Sequence, residues 1–320
     1  MELLSPVKAY YHHSFRYLFV LIVLCKGVWV SAGYAVESFD LSRSALTCSD
    51  FSRGAAKDAI PSMDRPKFLN VNQVDYLKPG EPVIGVSIGG ESRAYPLRLL
   101  LGHEVVNDQL GDQFIAVTYC PICGTAMVFD RVVGGAILEF GVSGLLHKGD
   151  LVLYDRSTES LWSQIGMEAL SGPYTGSSLT LIPASYSTWA AWRKEQPQGQ
   201  VLSLETGYDR DYRRVPFLGA APYGENGFVH RARRADDPED FFVLGLVEKG
   251  YQKAYSLADL AKTDGVTDTV NGRLLRLEYD ADRRKPLAKD LSTGRPVGFI
   301  LARWFAWKAF YPESSLYEKK

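Results

Sequence analysis

The stretch "GVSIGGESRAYPLRLLLGHEVVNDQLGDQFIAVTY", Gly85 to Tyr119, aligns without a gap on "GLVEKGYQKAYSLADLAKTDGVTDTVNGRLLRLEY", Gly245 to Tyr279. Nine positions are identical at this offset of 160, among them Ala94-Tyr95 with Ala254-Tyr255 and Asp108 with Asp268. A second type of segment follows each: "TWAAWRKEQP" (Thr188 to Pro197) resembles "RWFAWKAFYP" (Arg303 to Pro312), at an offset of 115. Two segment types recurring in one order predict a tandem duplication, with repeat 1 over about 80–205 and repeat 2 over about 240–317.

Each unit reads strand, short helix, hairpin. "PVIGVSIGG" gives a strand and turn, Pro96 suits the start of a helix over "PLRLLL", and Gly102 fits its end. Asn271-Gly272 in the second unit is the strongest two-residue hairpin signal, and the alignment makes Gly111-Asp112 the matching turn in the first. Leu110 then opposes Gln113, and counting outward sets His103 against Cys120. Directly opposed residues share a face, with Cβ atoms about 5 Å apart. Ile115, Val117 and Val106 mark the more apolar face, so His103 and Cys120 are expected on the other, with Thr118 and Asn107. The first copy carries about 45 extra residues after this hairpin, read as strands in "TAMVFDR", "AILEFGVSG" and "LVLYDR". The expected fold is β-rich α+β: two tandem strand-helix-hairpin units, the first enlarged by extra hairpins.

The hairpin leads into "TYCPICGT", which holds two of the four cysteines in the chain. A Cys-x-x-Cys turn aims two sulfurs at one point, as in half a zinc knuckle, and Zn–S bonds of about 2.3 Å would let an opposed His103 complete a Cys120, Cys123, His103 triad with one open position. Two thiolates and an imidazole suit Cu, Zn or Fe. Tyr119 or Glu104 would stand behind the ligands, although strand alternation turns Glu104 to the opposite face. His147, Cys48, Met127 and Asp155 are candidates for a fourth ligand, with no spacing argument for any of them. A thiol-disulfide oxidoreductase using Cys120 and Cys123 is a second reading of the pair, although strand rather than helix follows Cys123. A structural disulfide is the third. The second copy has Thr263, Asp280 and Arg283 at the three triad positions, so this chemistry belongs to the first copy alone. The Asp-Arg pairs of "FDR" and "YDR" read as strand-end ion pairs, and the tryptophans of the TWAAW and RWFAW segments as packing anchors.

The remaining chain bounds the setting. A length of 320 residues, 46% of them hydrophobic, builds one large core or two moderate ones. A net charge of -1 with scattered signs gives no reason to expect nucleic acid. Residues 1–35 read as a signal peptide or N-terminal anchor: Lys8 and Arg16 precede the apolar run Tyr17 to Cys25, and small residues suit cleavage after Ala32 or Ala35. Residues 36–64 read as an extension. The chain is thus expected to be exported, to the periplasm or beyond, meeting the membrane only through that segment if it is retained. Export leaves Cys48, Cys120 and Cys123, an odd number where pairs are usually oxidised.

"GHEVVND", "VTYCPICGTAMVFDR", "FGVSGLL", "LVLYDRSTESLWSQ", "ALSGPYTGSSLTLIP", "TWAAWRKEQPQGQVLS" and "WFAWKAFYPESSLY" occur in this order. Over residues 65–317 they resemble the bacterial and archaeal family catalogued as domain of unknown function 3179. The resemblance implies export or lipid anchoring for many members and no assigned reaction, and it places the family's histidine and cysteine positions on His103, Cys120 and Cys123. The resulting expectation is an exported metalloprotein with a redox or metal-handling role, whose partner is a small molecule or a metal donor or acceptor. Thiol exchange and non-catalytic binding by a scaffold protein stand beside it.

Overall fold

The computed structural model describes residues 38–213, 241–248 and 250–318; the expected leader over residues 1–35, and Cys25 within it, lies outside them. Among the described residues no helix is long and apolar enough to cross a membrane. The fold is β-rich α+β.

Two short strands, β1 (Phe51–Arg53) and β2 (Phe68–Asn70), precede the first unit. That unit runs β3 (Pro82–Ile88), β4 (Glu91–Pro96), helix α1 (Leu97–His103), β5 (Val105–Leu110), β6 (Gln113–Cys120) and β7 (Thr125–Asp130). Six short strands follow: β8 (Val132–Val133), β9 (Ala136–Ile137), β10 (Phe140–His147), β11 (Asp150–Asp155), β12 (Leu161–Ser163) and β13 (Glu168–Ala169). Then come β14 (Ser185–Thr188), α2 (Trp189–Glu195) and β15 (Gln200–Leu202). The second unit repeats the order as β16 (Phe242–Glu248), β17 (Tyr251–Ser256), α3 (Leu257–Leu260), β18 (Val266–Val270), β19 (Arg273–Asp280) and β20 (Lys285–Asp290), then β21 (Ile300–Arg303), α4 (Trp304–Phe310) and β22 (Ser315–Leu316).

The pairings repeat as well as the order. β14 runs antiparallel to β3, β3 to β4, and β4 lies parallel to β15; β21, β16, β17 and β22 make the same three pairings. Equivalent side chains fasten each hairpin to its sheet. Tyr95 Oη donates to Asp108 at 2.6 Å and Arg93 to the same carboxylate at 2.7 Å; Tyr255 Oη donates to Asp268 at 2.8 Å beside Lys253 at 2.6 Å. A phenol donating to a buried carboxylate is worth about 2 kcal/mol. Tyr95→Phe should therefore lower urea-denaturation stability by about that much, and Tyr255→Phe by less, because Asp268 is the more exposed carboxylate.

Each unit lends its hairpin to the other. β7 pairs with β21, so β5, β6 and β7 extend the second unit's sheet into one of seven strands. The turn after β6 accepts Arg303 N–H on the Cys123 carbonyl at 3.1 Å, and the turn after β19 accepts Thr188 N–H on the Arg283 carbonyl at 3.0 Å. The Cys-x-x-Cys turn is thereby held by the chain entering α4, at the junction of the two units.

The hairpin register is as the sequence indicates: Leu110 opposes Gln113, and the pairing runs without slippage to Val105 opposite Thr118. It stops there. Helix α1 continues through Gly102, and Glu104 takes the left-handed cap that Gly102 was expected to prepare, with φ 57° and its N–H on the Leu100 carbonyl at 2.7 Å. This reversal breaks strand alternation between His103 and Val105, so His103 does not oppose Cys120. "TAMVFDR" also changes place: it is β7, the counterpart of β20, and the inserted segment begins after it.

The insertion covers the second face of the hairpin. Val106, Ile115, Val117 and Tyr119 lie in one core with Tyr95, Trp189 and Tyr255. Val105, Ala116 and Cys120 lie in another, roofed by Phe140, Val142, Leu153 and Trp162 from the inserted strands. Cys120 therefore faces a buried, mainly apolar interior.

Candidate metal centre

Cys120 is the last residue of β6, and Pro121 to Gly124 turn the chain back so that Thr125 opposes it. Gly124 has φ 62°, and a Cβ there would meet the Phe242 ring at 2.8 Å, so only glycine permits the close approach. The turn folds Cys123 inward, where its Sγ donates to the Gly149 carbonyl at 3.4 Å. Gly149 is in the turn between β10 and β11, and the next residue, Asp150, points at the sulfurs.

One Cys120 sulfur, one Cys123 sulfur and one Asp150 oxygen all lie within 4.8 Å of one another. The three residues are 1%, 0% and 1% exposed. Cys120 and Cys123 are free thiols, as is exposed Cys48. Asp150 Oδ2 accepts Ile165 N–H at 2.9 Å, and both thiols lie close enough to donate to the carboxylate, although its buried Oδ1 has no well-formed hydrogen bond. In the reduced protein the thiol protons balance this buried carboxylate, and a cation bound there would take their place.

Electrostatics point the same way. Burial pushes the Asp150 carboxyl up to about 7, and burial with Asp150 nearby pushes Glu104 up to about 8. Cys120 is raised chiefly by burial, and Cys123 by its hydrogen bond to Cys120 and by burial. Tyr119 is raised by burial and by Cys120, against the lowering influence of Arg303. Two carboxyls, two thiols and the Tyr119 phenol therefore crowd a space closed to bulk solvent. Each makes ionisation of the others harder, and a divalent cation reverses that.

His103 lies elsewhere. Its Nδ1 is 2.7 Å from the Pro61 carbonyl, which can only accept, so Nδ1 carries the proton and Nε2 accepts from Tyr212 Oη at 2.5 Å. Burial lowers its pKa, and its two ring nitrogens tie α1 to Pro61 on one side and to Tyr212 on the other. The expected triad is thus corrected: the two sulfurs are brought together, and a carboxylate rather than the imidazole joins them.

The suggested fourth ligands also stand outside the group. His147 opposes Asp150 across its hairpin, but its Nδ1 faces the Asp50 carbonyl at 3.0 Å and its ring packs on Phe51 and Phe310. Asp155 is occupied by Ser157, Thr158 and Trp162 Nε1. Met127 is core and Cys48 is on the surface. Neither Asp-Arg pair serves the site: Arg131 donates to the Leu138 and Asp108 carbonyls, and Arg156 pairs with Asp64 at 3.3 Å.

The chain matches a family model described as protein of unknown function (DUF3179) over residues 57–303. It belongs to that family. No curated protein and no solved structure matches it. The DUF3179 region contains Glu104, Cys120, Cys123 and Asp150, and its last matched residue, Arg303, is the one whose N–H holds the Cys123 carbonyl.

Proposed function

We propose that this chain is an exported metalloprotein with a single metal centre built on Cys120, Cys123 and Asp150, serving metal handling or redox chemistry. The observation that carries this reading is the convergence of two free thiols and a fully buried carboxylate, with their ligand atoms within 4.8 Å of one another. Two thiolates and a carboxylate suit Zn2+ or Fe2+, while Cu+, satisfied by two soft sulfurs, would leave the carboxylate charge uncompensated. Bound there, such an ion would supply Lewis acidity or, if iron, one-electron redox. The chain's own contribution is to hold the sulfurs at the junction of its two units and to keep water out.

The repeated order, pairings and Tyr-Asp fastenings support descent of the two units by tandem duplication. In the second, Asp280 and Arg283 stand at the cysteine positions and pair with each other at 3.3 Å, an ion pair in place of a centre. Export rests on the composition of residues 1–35.

Thiol-disulfide exchange is the second reading, favoured by one observation: a carboxyl with a pKa of about 7 beside a dithiol can accept a thiol proton. Against it, both sulfurs are within 1% of full burial, so a protein disulfide has no approach to them. Titrating the reduced, metal-free protein with Zn2+ at pH 6 in weak buffer separates the two. The metal reading expects saturation at one equivalent with release of one or more protons, and an apparent affinity rising at least tenfold per pH unit below about pH 7. Absence of any proton release or binding contradicts it.

A further inference from the structure

The outer edges of the two units differ. In the first, β2 runs antiparallel to β15, with Phe68 opposite Leu202 and Asn70 opposite Gln200. Val71, Tyr76 and Leu77 after it join the core that holds Leu100, Val201 and Leu202, and Tyr76 Oη donates to the Leu202 carbonyl. In the second unit β22 holds the place of β15, with Leu316 for Val201 and Tyr317 for Leu202. Among the described residues β22 is the edge of its sheet. A cleft of about 440 Å3 opens between β22 and α3, lined by Tyr255, Leu260, Val266, Leu316 and Tyr317. The counterparts of these residues, Tyr95, Leu100, Val106, Val201 and Leu202, are fully buried, whereas Leu316 and Tyr317 are half-buried. The offset of 160, continued back along the sequence, sets Arg231, Asp236 and Asp237 against Val71, Tyr76 and Leu77. The second copy repeats the receiving surface but not the apolar sequence that fills it in the first.

We propose that β22 and this cleft receive an extended, tyrosine-bearing peptide segment of a partner protein, which adds antiparallel to β22 and sets its aromatic side chain between β22 and α3. The inference is independent of the metal reading. The β2–β15 pair shows the mode: an edge strand offers its backbone groups to an incoming strand, and a pocket beside it selects the side chain. In the first unit Ser203 donates its N–H to the Lys67 carbonyl at 2.7 Å, and Val71 donates its own to the Gly199 carbonyl at 3.2 Å. Glu318 and Ser314 stand at the places of Ser203 and Gly199. The cleft suits an aromatic guest because its walls are aliphatic side chains and the Tyr255 and Tyr317 rings, stacked at 5.3 Å. A phenol is favoured over a plain ring because the Tyr317 carbonyl is the counterpart of the one that accepts from Tyr76.

The chain's own filling segment serves as the probe. A fluorescein-labelled peptide of the sequence RPKFLNVNQVDYLK, Arg65 to Lys78, is titrated into the full-length protein, and backbone hydrogen exchange is followed with and without it. The proposal expects saturable binding with a Kd of about 100 μM or tighter, and slower exchange at residues 255–266 and 314–318. Peptides carrying Tyr76→Ala, or N-methylated at Leu69 and Val71 so that the pairing amides are lost, should bind at least tenfold more weakly. An N-methylated peptide that binds as well as its parent would mean side-chain capture without strand addition, and protection confined to other residues would place the peptide elsewhere; either overturns the proposal. No saturable binding up to about 1 mM overturns it as well, including the case in which amides 314–318 are already protected because another part of the chain or a second copy lies along β22.

Discussion

Cys120→Ser or Cys123→Ser should weaken Zn2+ binding by about a thousandfold or more, Asp150→Asn by at least tenfold, and His103→Ala hardly at all. Each thiolate contributes a strong bond in a dry site, so its loss removes a large share of the binding free energy. Asparagine keeps the shape of Asp150 and an acceptor for Ile165 N–H, but not the charge. His103 is committed to Pro61 and Tyr212, so its removal costs fold stability and leaves the donors untouched. Affinity measured by chelator competition on the folded fraction separates the two effects.

Asp150→Asn has a second, opposite signature. The Asp150 pKa is higher in the folded than in the unfolded chain, about 7 against about 4, so the metal-free folded state binds the extra proton between those values. Stability therefore falls as pH rises through that window and on towards the Glu104 value of about 8. Metal-free wild type should be less stable at pH 8 than at pH 5.5, and Asp150→Asn should flatten the profile. A merely structural aspartate with a depressed pKa would give the reverse slope.

The second large effect concerns the two units. Gly85 and Gly245 occupy equivalent strand positions and face tryptophans of α2 and α4, respectively. A Cβ at Gly85 would lie 2.2 Å from Trp192 Nε1, and one at Gly245 would lie 2.0 Å from the Trp307 ring. Both indoles are almost completely buried, so neither can move aside. Overpacking of this severity costs about 3 kcal/mol or more, which for a chain of this size lowers the unfolding midpoint by roughly 6–9 °C. Gly245→Ala combined with Trp307→Phe should recover part of that loss, as a double-mutant cycle would show. A neutral Gly245→Ala would mean that the strand and helix do not pack as described.

The fold was legible where local chemistry is unambiguous. Asn271-Gly272 fixed the second hairpin, the alignment carried its register to the first, and every predicted pair from Leu110 out to Val105 is present. The failure came one residue further, at Glu104. A glutamate in the left-handed region has no sequence signature, and Gly102, the residue that advertises a helix end, is passed over. Extrapolating the ladder through that point turned His103 towards Cys120, whereas the structure commits its ring to Pro61 and Tyr212. Asp150 was missed for another reason. Its approach to the sulfurs depends on how the inserted hairpin packs on β6, a tertiary contact that no spacing within "HKGDLVLYD" encodes. The one local hint is a carboxylate opening a strand whose middle four residues are apolar or aromatic and which the fold buries on both faces.

The central claim, a metal held by Cys120, Cys123 and Asp150, is most directly tested by elemental analysis of the anaerobically purified full-length protein, with mass-spectrometric mapping of its cysteines. The account predicts about one equivalent of zinc or iron, with Cys120 and Cys123 both reduced. A metal-free protein in which those two residues form a disulfide would contradict it.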